Sequence, residues 1–240
     1  MLNPREPSGS RRAILLIHGI LSSSKHFDFL LPHIPEDLPC YDLLLDGHGG
    51  NVEDFSRTSM KKWKAQVSAK VQQLLAQYDE LIIVAHSMGT LFAIREAIDH
   101  PDKIRHLLLL QVPLRPWMKV KYGFYALIMP FGIVPEAAQP MYGDCSVKLT
   151  RRLWKYIPWL PRFFELFSES NATLKILDQL RVPCVVFQAK HDEVVSLRSY
   201  RDLQKHTHYQ LTLLENSGHY RYSPEDTALL LEAFAKITKC

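Results

Sequence analysis

Six short apolar runs recur along this 240-residue chain, at Ala13 to Ile17, Tyr41 to Leu45, Leu81 to Ala85, Leu107 to Val112, Cys184 to Gln188 and Gln210 to Leu214. Amphipathic stretches separate them. That alternation is the signature of an α/β chain: a mostly parallel sheet of about six strands flanked by helices. Between the second and third runs, Met60, Trp63, Val67, Val71, Leu74 and Leu75 keep helical spacing behind Thr58 and Ser59, which can cap a helix start. Leu91, Ile94, Arg95 and Ile98 continue a helical period after the third run. Near the end, Ser223-Pro224-Glu225-Asp226 reads as a helix start, with Leu230, Ala233, Phe234 and Ile237 as its buried face.

Where the third run ends and its helical pattern begins, the chain reads Ala85-His86-Ser87-Met88-Gly89. A serine on a turn that tight cannot bury its hydroxyl, and small residues two places before and after it let strand and helix pack closely. Ala85 and Gly89 are those residues, Ala85 standing where glycine is usual.

A serine hydroxyl is a weak nucleophile near neutral pH, so it needs a base and a third group to orient that base. The fifth run is followed by Ala189-Lys190-His191-Asp192 and the sixth by Glu215-Asn216-Ser217-Gly218-His219. Asp192 and His219 therefore follow the carboxyl ends of strands, the edge on which Ser87 emerges, and the order Ser, Asp, His fits a nucleophile presented on such a strand-to-helix turn, a nucleophile elbow. Glu193 is the one serious substitute for Asp192. The first run leads into His18-Gly19-Ile20-Leu21. Glycine lets the backbone turn there, so the Ile20 and Met88 amides are expected to form an oxyanion hole. His18 is expected to support this loop, the Asp46-Gly47-His48-Gly49-Gly50 loop to form one wall of the pocket and His86 to line the site or pack beneath it.

Other titratable residues fit less well. His206 and His208 lie in or just after a helix-like stretch and read as surface groups. Asp144 and Asp178 follow no strand, and Asp99 and Asp102 flank a helix end. No histidine, cysteine and carboxylate cluster has metal-ligand spacing.

Residues 113–175 break the alternation. They are rich in aromatic residues, including Trp117, Tyr125, Trp154, Trp159 and Phe164, and carry nine Lys and Arg against four Asp and Glu, a surplus larger than the whole chain's +4. The expectation is a core of residues 1–112 and 176–240 with residues 113–175 inserted after the fourth strand as a helical cap. Its aromatic residues either line an acyl pocket beneath a basic rim or simply form the cap's own core under a solvated face. The basic excess is modest and its aromatic residues sit in apolar company, which argues against nucleic-acid binding. A hydrophobic fraction of 47% with 22% charged residues is ordinary for a soluble domain, no run reaches the roughly 20 apolar residues of a membrane span, and Met1 to Pro7 lacks a signal-like apolar region. Cys40, Cys145, Cys184 and Cys240 show no paired spacing, which reads as reduced thiols in a cytoplasmic protein.

Taken together, Leu16-Ile17-His18-Gly19-Ile20, Gly47-His48-Gly49, Ala85-His86-Ser87-Met88-Gly89, Gln188 to Glu193 and Asn216-Ser217-Gly218-His219 resemble the α/β-hydrolase superfamily, closest to its small bacterial carboxylesterase and monoacylglycerol lipase group. The resemblance covers nearly the whole chain apart from the cap. It implies an α/β-hydrolase fold and a cofactor-free serine hydrolase of short to medium acyl esters or monoacylglycerols, with Ser87, His219 and Asp192 as triad. Gly19, Leu21, His86, Trp117 and Tyr125 are then expected against a small-molecule ester, with weak membrane-surface contact through the cap and a monomer or homodimer as the state. A thioesterase, or a hydrolase of another metabolite ester or carbon–carbon bond, is the alternative. A non-turnover binding protein is a further one, disfavoured because it would not need all four catalytic features.

Overall fold

The computed structural model describes residues 11–206 and 209–239. His208, Cys240 and the Met1 to Pro7 run lie outside the described residues. Six strands, β1 (Arg12–Ile17), β2 (Cys40–Leu43), β3 (Glu80–His86), β4 (Ile104–Leu110), β5 (Cys184–Ala189) and β6 (Gln210–Leu214), form one sheet in the order β2-β1-β3-β4-β5-β6. Every neighbouring pair is parallel. From β1 the chain steps to one side for β2 and to the other for β3 onward. The order therefore reverses at β1, and the crevice beyond the carboxyl ends of β1 and β3 is where such sheets bind ligands.

The helices are α1 (Val52–Ser56), α2 (Met60–Leu75), α3 (Met88–Asp99), α4 (Val120–Ile128), α5 (Gln139–Asp144), α6 (Leu160–Ile176), α7 (Leu197–Leu203) and α8 (Pro224–Lys239). Ser59 caps α2 by accepting from the Lys62 amide at 3.2 Å, and Asn51 caps α1 in a reciprocal box with Asp54. Both faces of the sheet are covered at its centre, which is why β1 and β3 are almost entirely apolar and buried beyond their first residues, whereas the edge strands β2 and β6 are only partly buried. Leu15, Ile17, Ile83, Ala85, Leu107 and Leu109 point into a core completed by Trp63, Val67 and Val71 of α2 and Leu91 and Ile94 of α3. The alternate residues Ile14, Leu16, Ile82, Val84 and Leu108 meet Phe27, Leu30 and the Leu230, Phe234 and Ile237 stripe of α8.

Two strands differ from expectation. β2 ends at Leu43 because the Leu45 amide leaves the sheet to donate to His18 Nε2 at 3.0 Å. β4 begins at Ile104, earlier than the apolar run, and ends at Leu110, before Gln111 turns to φ +58°. The polar Arg105 and His106 disguise its start.

Between β4 and β5 the chain makes two kinds of structure. α6 packs on α2 and α3 and buries Leu166 in the main core. The α4 and α5 region forms its own small cluster of Tyr122, Met129, Ala138 and Met141. The aromatic residues divide accordingly: Trp159 and Tyr122 are buried, whereas Trp117, Trp154 and Phe164 are each about two-thirds exposed, at 66%, 65% and 68%. Among the described residues no helix is long and apolar enough to cross a membrane, and Cys40, Cys145 and Cys184 are unbridged thiols.

Candidate active site

Ser87 stands between β3 and α3 with φ +51° and ψ −125°, a conformation that a non-glycine residue adopts only when its surroundings enforce it. The enforcement is visible on both sides. The Ser87 amide donates to the Leu110 carbonyl of β4 at 2.8 Å, and the Ser87 carbonyl accepts from both the amide and the hydroxyl of Thr90. The first turn of α3 lies so close to the end of β1 that a Cβ on Gly89 would sit 2.3 Å from the Ile17 carbonyl oxygen. Only glycine fits there. Ala85, fully buried and in register with Ile17 and Leu109, has room for its methyl.

His219 and Asp192 meet past the ends of β6 and β5, and His219 lines the same cavity as Ser87. Asp192 Oδ2 accepts from His219 Nδ1 at 2.8 Å, and Asp192 Oδ1 accepts from the Val194 and Val195 amides at 2.8 and 2.6 Å. Both side chains are buried. With Nδ1–H committed to a carboxylate, Nε2 carries the lone pair. Burial works against a charged imidazole here, but the Asp192 charge and hydrogen bond outweigh it and raise the His219 pKa above its ordinary value. Glu193 plays a different part. Its Oε2 accepts from the His219 amide at 2.6 Å and fixes the loop rather than the ring. The same loop is tied to α8, whose Asp226 accepts from the Asn216 amide and the Ser217 hydroxyl.

The loop after β1 carries Ile20. A Cβ on Gly19 would lie 2.8 Å from Ser87 Cβ, so the backbone of this loop abuts the serine directly. Two histidines brace it. His18 donates from Nδ1 to the Gly19 carbonyl at 2.8 Å and accepts the Leu45 amide at Nε2, the supporting role expected of it. His48 Nε2 accepts from the Leu21 amide at 3.0 Å while Nδ1 faces the Leu45 and Asp46 carbonyls. Burial lowers the pKa of His18 to about 4 and of His48 to about 3, so both serve as neutral props. Met88 is the first residue of α3, where an amide has no intrahelical partner. The Ile20 amide, in the loop after β1, and the Met88 amide, at the start of α3, thus lie on the two segments that adjoin Ser87.

A cavity of about 370 Å³ opens over these groups. Ser87, His219, Ile20 and Leu21 form its floor, and the segment between β4 and β5 supplies most of the wall through Met118, Met129, Met141, Tyr156, Phe163 and their neighbours. Of the residues expected against substrate, Leu21 and Trp117 line it. Gly19, His86 and Tyr125 do not, and those expectations are corrected. Gly19 is covered by Ser87, whose side chain it touches. Tyr125 packs on Tyr122 and Phe124 within α4. His86 is buried beneath: its Nε2 donates to the His219 carbonyl at 3.2 Å, and its ring stacks on His26 at 3.6 Å. The Asp46 to Gly50 loop does not wall the pocket, since none of its residues is in the lining, and its His48 props the loop after β1 instead. His206 is hydrogen-bonded to Asp178 and is half-buried rather than a plain surface group, and neither residue reaches the cavity.

Sequence reasoning missed a second acid–histidine pair at the cavity. Asp144, at the end of α5, accepts from His26 Nδ1 at 3.2 Å and lines the cavity. Asp144 follows no strand and His26 lies in a short turn of 3₁₀ helix, so neither had a strand-end signal. Beside them, the Ser146 amide and hydroxyl donate to the Leu21 carbonyl at 2.7 and 3.1 Å, stitching this segment to the loop after β1.

A profile of the alpha/beta hydrolase family matches residues 14–233. No curated protein sequence matches the chain. Among solved structures, a metagenome-derived lipolytic enzyme superposes with a TM-score of 0.72 at 20% identity, covering 97% of this chain and 95% of its own. The monoacylglycerol lipase of Paleococcus ferrophilus gives 0.68 at 16% identity, with 95% and 94% covered. A thioesterase domain from the curacin biosynthetic pathway gives 0.62 at 19% identity, with 96% and 92% covered.

Proposed function

The chain belongs to the alpha/beta hydrolase family, and from that premise we propose that it is a serine hydrolase that cleaves carboxylic esters, of short to medium acyl chain or monoacylglycerol type, through a covalent acyl-enzyme. One observation carries the reading: His219, joined to the buried Asp192 at 2.8 Å, lines the same cavity as a serine held at positive φ.

In the proposed sequence, Ser87 Oγ attacks the ester carbonyl carbon while His219 Nε2 takes its proton. The carbonyl oxygen becomes an oxyanion facing the Ile20 and Met88 amides, each such donor typically contributing about 3 to 4 kcal/mol to the transition state. Collapse breaks the bond to the alcohol, which leaves with the proton from His219. Water then attacks the Ser87 acyl ester, His219 takes its proton, and the acid departs as Ser87 regains its hydrogen. Asp192 holds His219 in the required tautomer throughout and stabilises the imidazolium. No cofactor enters any step.

Residues 113–175 act in this reading as the cap that gives the acyl group its apolar surroundings. A cavity of about 370 Å³ lined chiefly by methionine, leucine and aromatic side chains supports an acyl chain as the bound group. It does not discriminate an oxygen ester from a thioester, and the thioesterase reading is kept for that reason. A panel of nitrophenyl esters, monoacylglycerols and acyl-thioesters of graded chain length separates the two. The expected result is a sharp optimum at short to medium acyl length with oxygen esters preferred; a preference for thioesters at every length would replace this assignment with the alternative.

The unbridged thiols of Cys40, Cys145 and Cys184 support a reducing, cytoplasmic setting. Contact with a lipid surface is part of the same proposal. Trp117, Leu127, Leu153, Leu160 and Phe167 both line the cavity and are exposed, so apolar surface runs from the outside toward Ser87. The surplus of lysine and arginine in this segment suits an anionic headgroup. Co-sedimentation with vesicles containing phosphatidylserine should fall when Trp154 and Phe164 are both replaced by alanine. Equal binding by the double variant, or none by the parent protein, would count against it.

A further inference from the structure

Asp144 is used by no step of that chemistry, yet its position is unusual. Among the described residues lining the cavity it is the one carboxylate, and no lysine or arginine reaches the lining. Its side chain is about 9% exposed. It is held in place from three directions: His26 Nδ1 donates to it at 3.2 Å, Ser22 hydrogen-bonds it, and α5 fixes its backbone. Tyr222 hydrogen-bonds the far nitrogen of His26 at 3.0 Å, and the His26 ring is clamped against His86. A side chain so braced cannot swing away from an incoming group.

We propose that Asp144 is a specificity-determining residue, a fixed negative charge in the cavity wall that turns away esters carrying a carboxylate or other anion and so restricts turnover to neutral substrates. The inference rests on the assignment of Ser87 as nucleophile and deepens it. Its physical basis is elementary. An anionic substrate already loses hydration on entering an apolar cavity, and here it meets a like charge with no lysine or arginine in the lining to offset either cost. The carboxyl is also kept ionised: burial pushes its pKa up, but the hydrogen bond and charge of His26 and the hydrogen bond from Ser22 more than reverse this and leave it below the ordinary aspartate value.

Like charges about 6 Å apart in a medium of effective dielectric about 20 repel enough to change a rate about 100-fold. The test compares two nitrophenyl esters of one chain length, one ending in a carboxylate and the other in the neutral carboxamide, in mildly alkaline buffer. The unmodified protein should prefer the carboxamide by about 100-fold or more in kcat/KM. Asp144→Asn, which keeps the shape and a hydrogen-bond acceptor for His26, should narrow that gap at least about tenfold. Asp144→Ser serves as the second variant if the first does not fold. Equal turnover of both esters by the unmodified protein, or an unchanged gap in a folded variant, overturns the inference. Failure of the underlying assignment reads differently: the carboxamide ester would still be hydrolysed after Ser87→Ala.

Discussion

Ser87→Ala is expected to lower kcat for a neutral nitrophenyl ester by about a million-fold, with the folded structure retained. The size follows from the division of labour in the site. Without Oγ there is no group to form the acyl-enzyme, and only the oxyanion donors and the binding of substrate remain to assist direct attack by water. The fold should persist because the strain at φ +51° is borne by the backbone and its neighbours, and alanine keeps the Cβ that touches the Gly19 loop. His219→Ala should cost nearly as much, and the two substitutions combined little more than either alone, since the residues act as a unit. Initial rates under saturating ester, with circular dichroism as the check on folding, decide the matter. A folded Ser87→Ala protein with full esterase activity would end the scheme.

Asp192→Asn should reduce kcat by about ten-thousand-fold through a reversal of hydrogen-bond polarity. The carboxylate can only accept, so it requires the proton on His219 Nδ1 and leaves Nε2 free for the serine proton. An asparagine amide can donate to Nδ1, which moves the imidazole proton to Nε2 and removes the base. The same carboxylate governs pH dependence. Its charge and hydrogen bond overcome burial and raise the His219 pKa, and His219 acts only when neutral. Activity of the unmodified protein should therefore fall as pH drops through a limb above the ordinary histidine value of 6.5. In Asp192→Asn, burial acts without that opposition and the limb should move downward. A profile of kcat/KM against pH for both proteins measures the shift; an upward move or no move would mean that Asp192 is not what sets the His219 charge. Glu193, adjacent in sequence and bound to the His219 backbone instead of its ring, offers the comparison: Glu193→Gln should leave the limb closer to its original position.

How much of this was legible in the chain depended on whether a residue's surroundings are local. The central strands were readable because both sheet faces are buried there, so each is a compact apolar run, and the edge strands β2 and β6, though only partly buried, still break the helical pattern on either side. The parallel order then carries Ser87, Asp192 and His219 to one edge without any need to see side chains. β2 and β4 were misjudged at their ends because long-range bonds decide there: His18 captures the Leu45 amide, and Gln111 turns out of the sheet while its amide donates to Phe187. His86 is adjacent to the nucleophile, which suggests a substrate contact, yet the alternation of β3 puts it on the face of Ile82 and Val84 against His26 and His219, while the positive-φ turn at Ser87 carries the serine to the cavity. Tyr125 was an aromatic residue in an aromatic insertion, and nothing in the spacing of α4 could say that its partners are Tyr122 and Phe124. Asp144 and His26 are separated by 118 positions and share no strand end. Only the folding of α5 against the turn after β1 brings them together.

The most direct measurement is where a serine-directed fluorophosphonate attaches. Intact-mass spectrometry followed by peptide mapping should find one phosphonyl group, on Ser87, in the unmodified protein, and none in the Ser87→Ala or His219→Ala variants when both are folded. A label on any other residue, or undiminished labelling of the Ser87→Ala protein, would contradict the assignment of Ser87 and His219 as nucleophile and base.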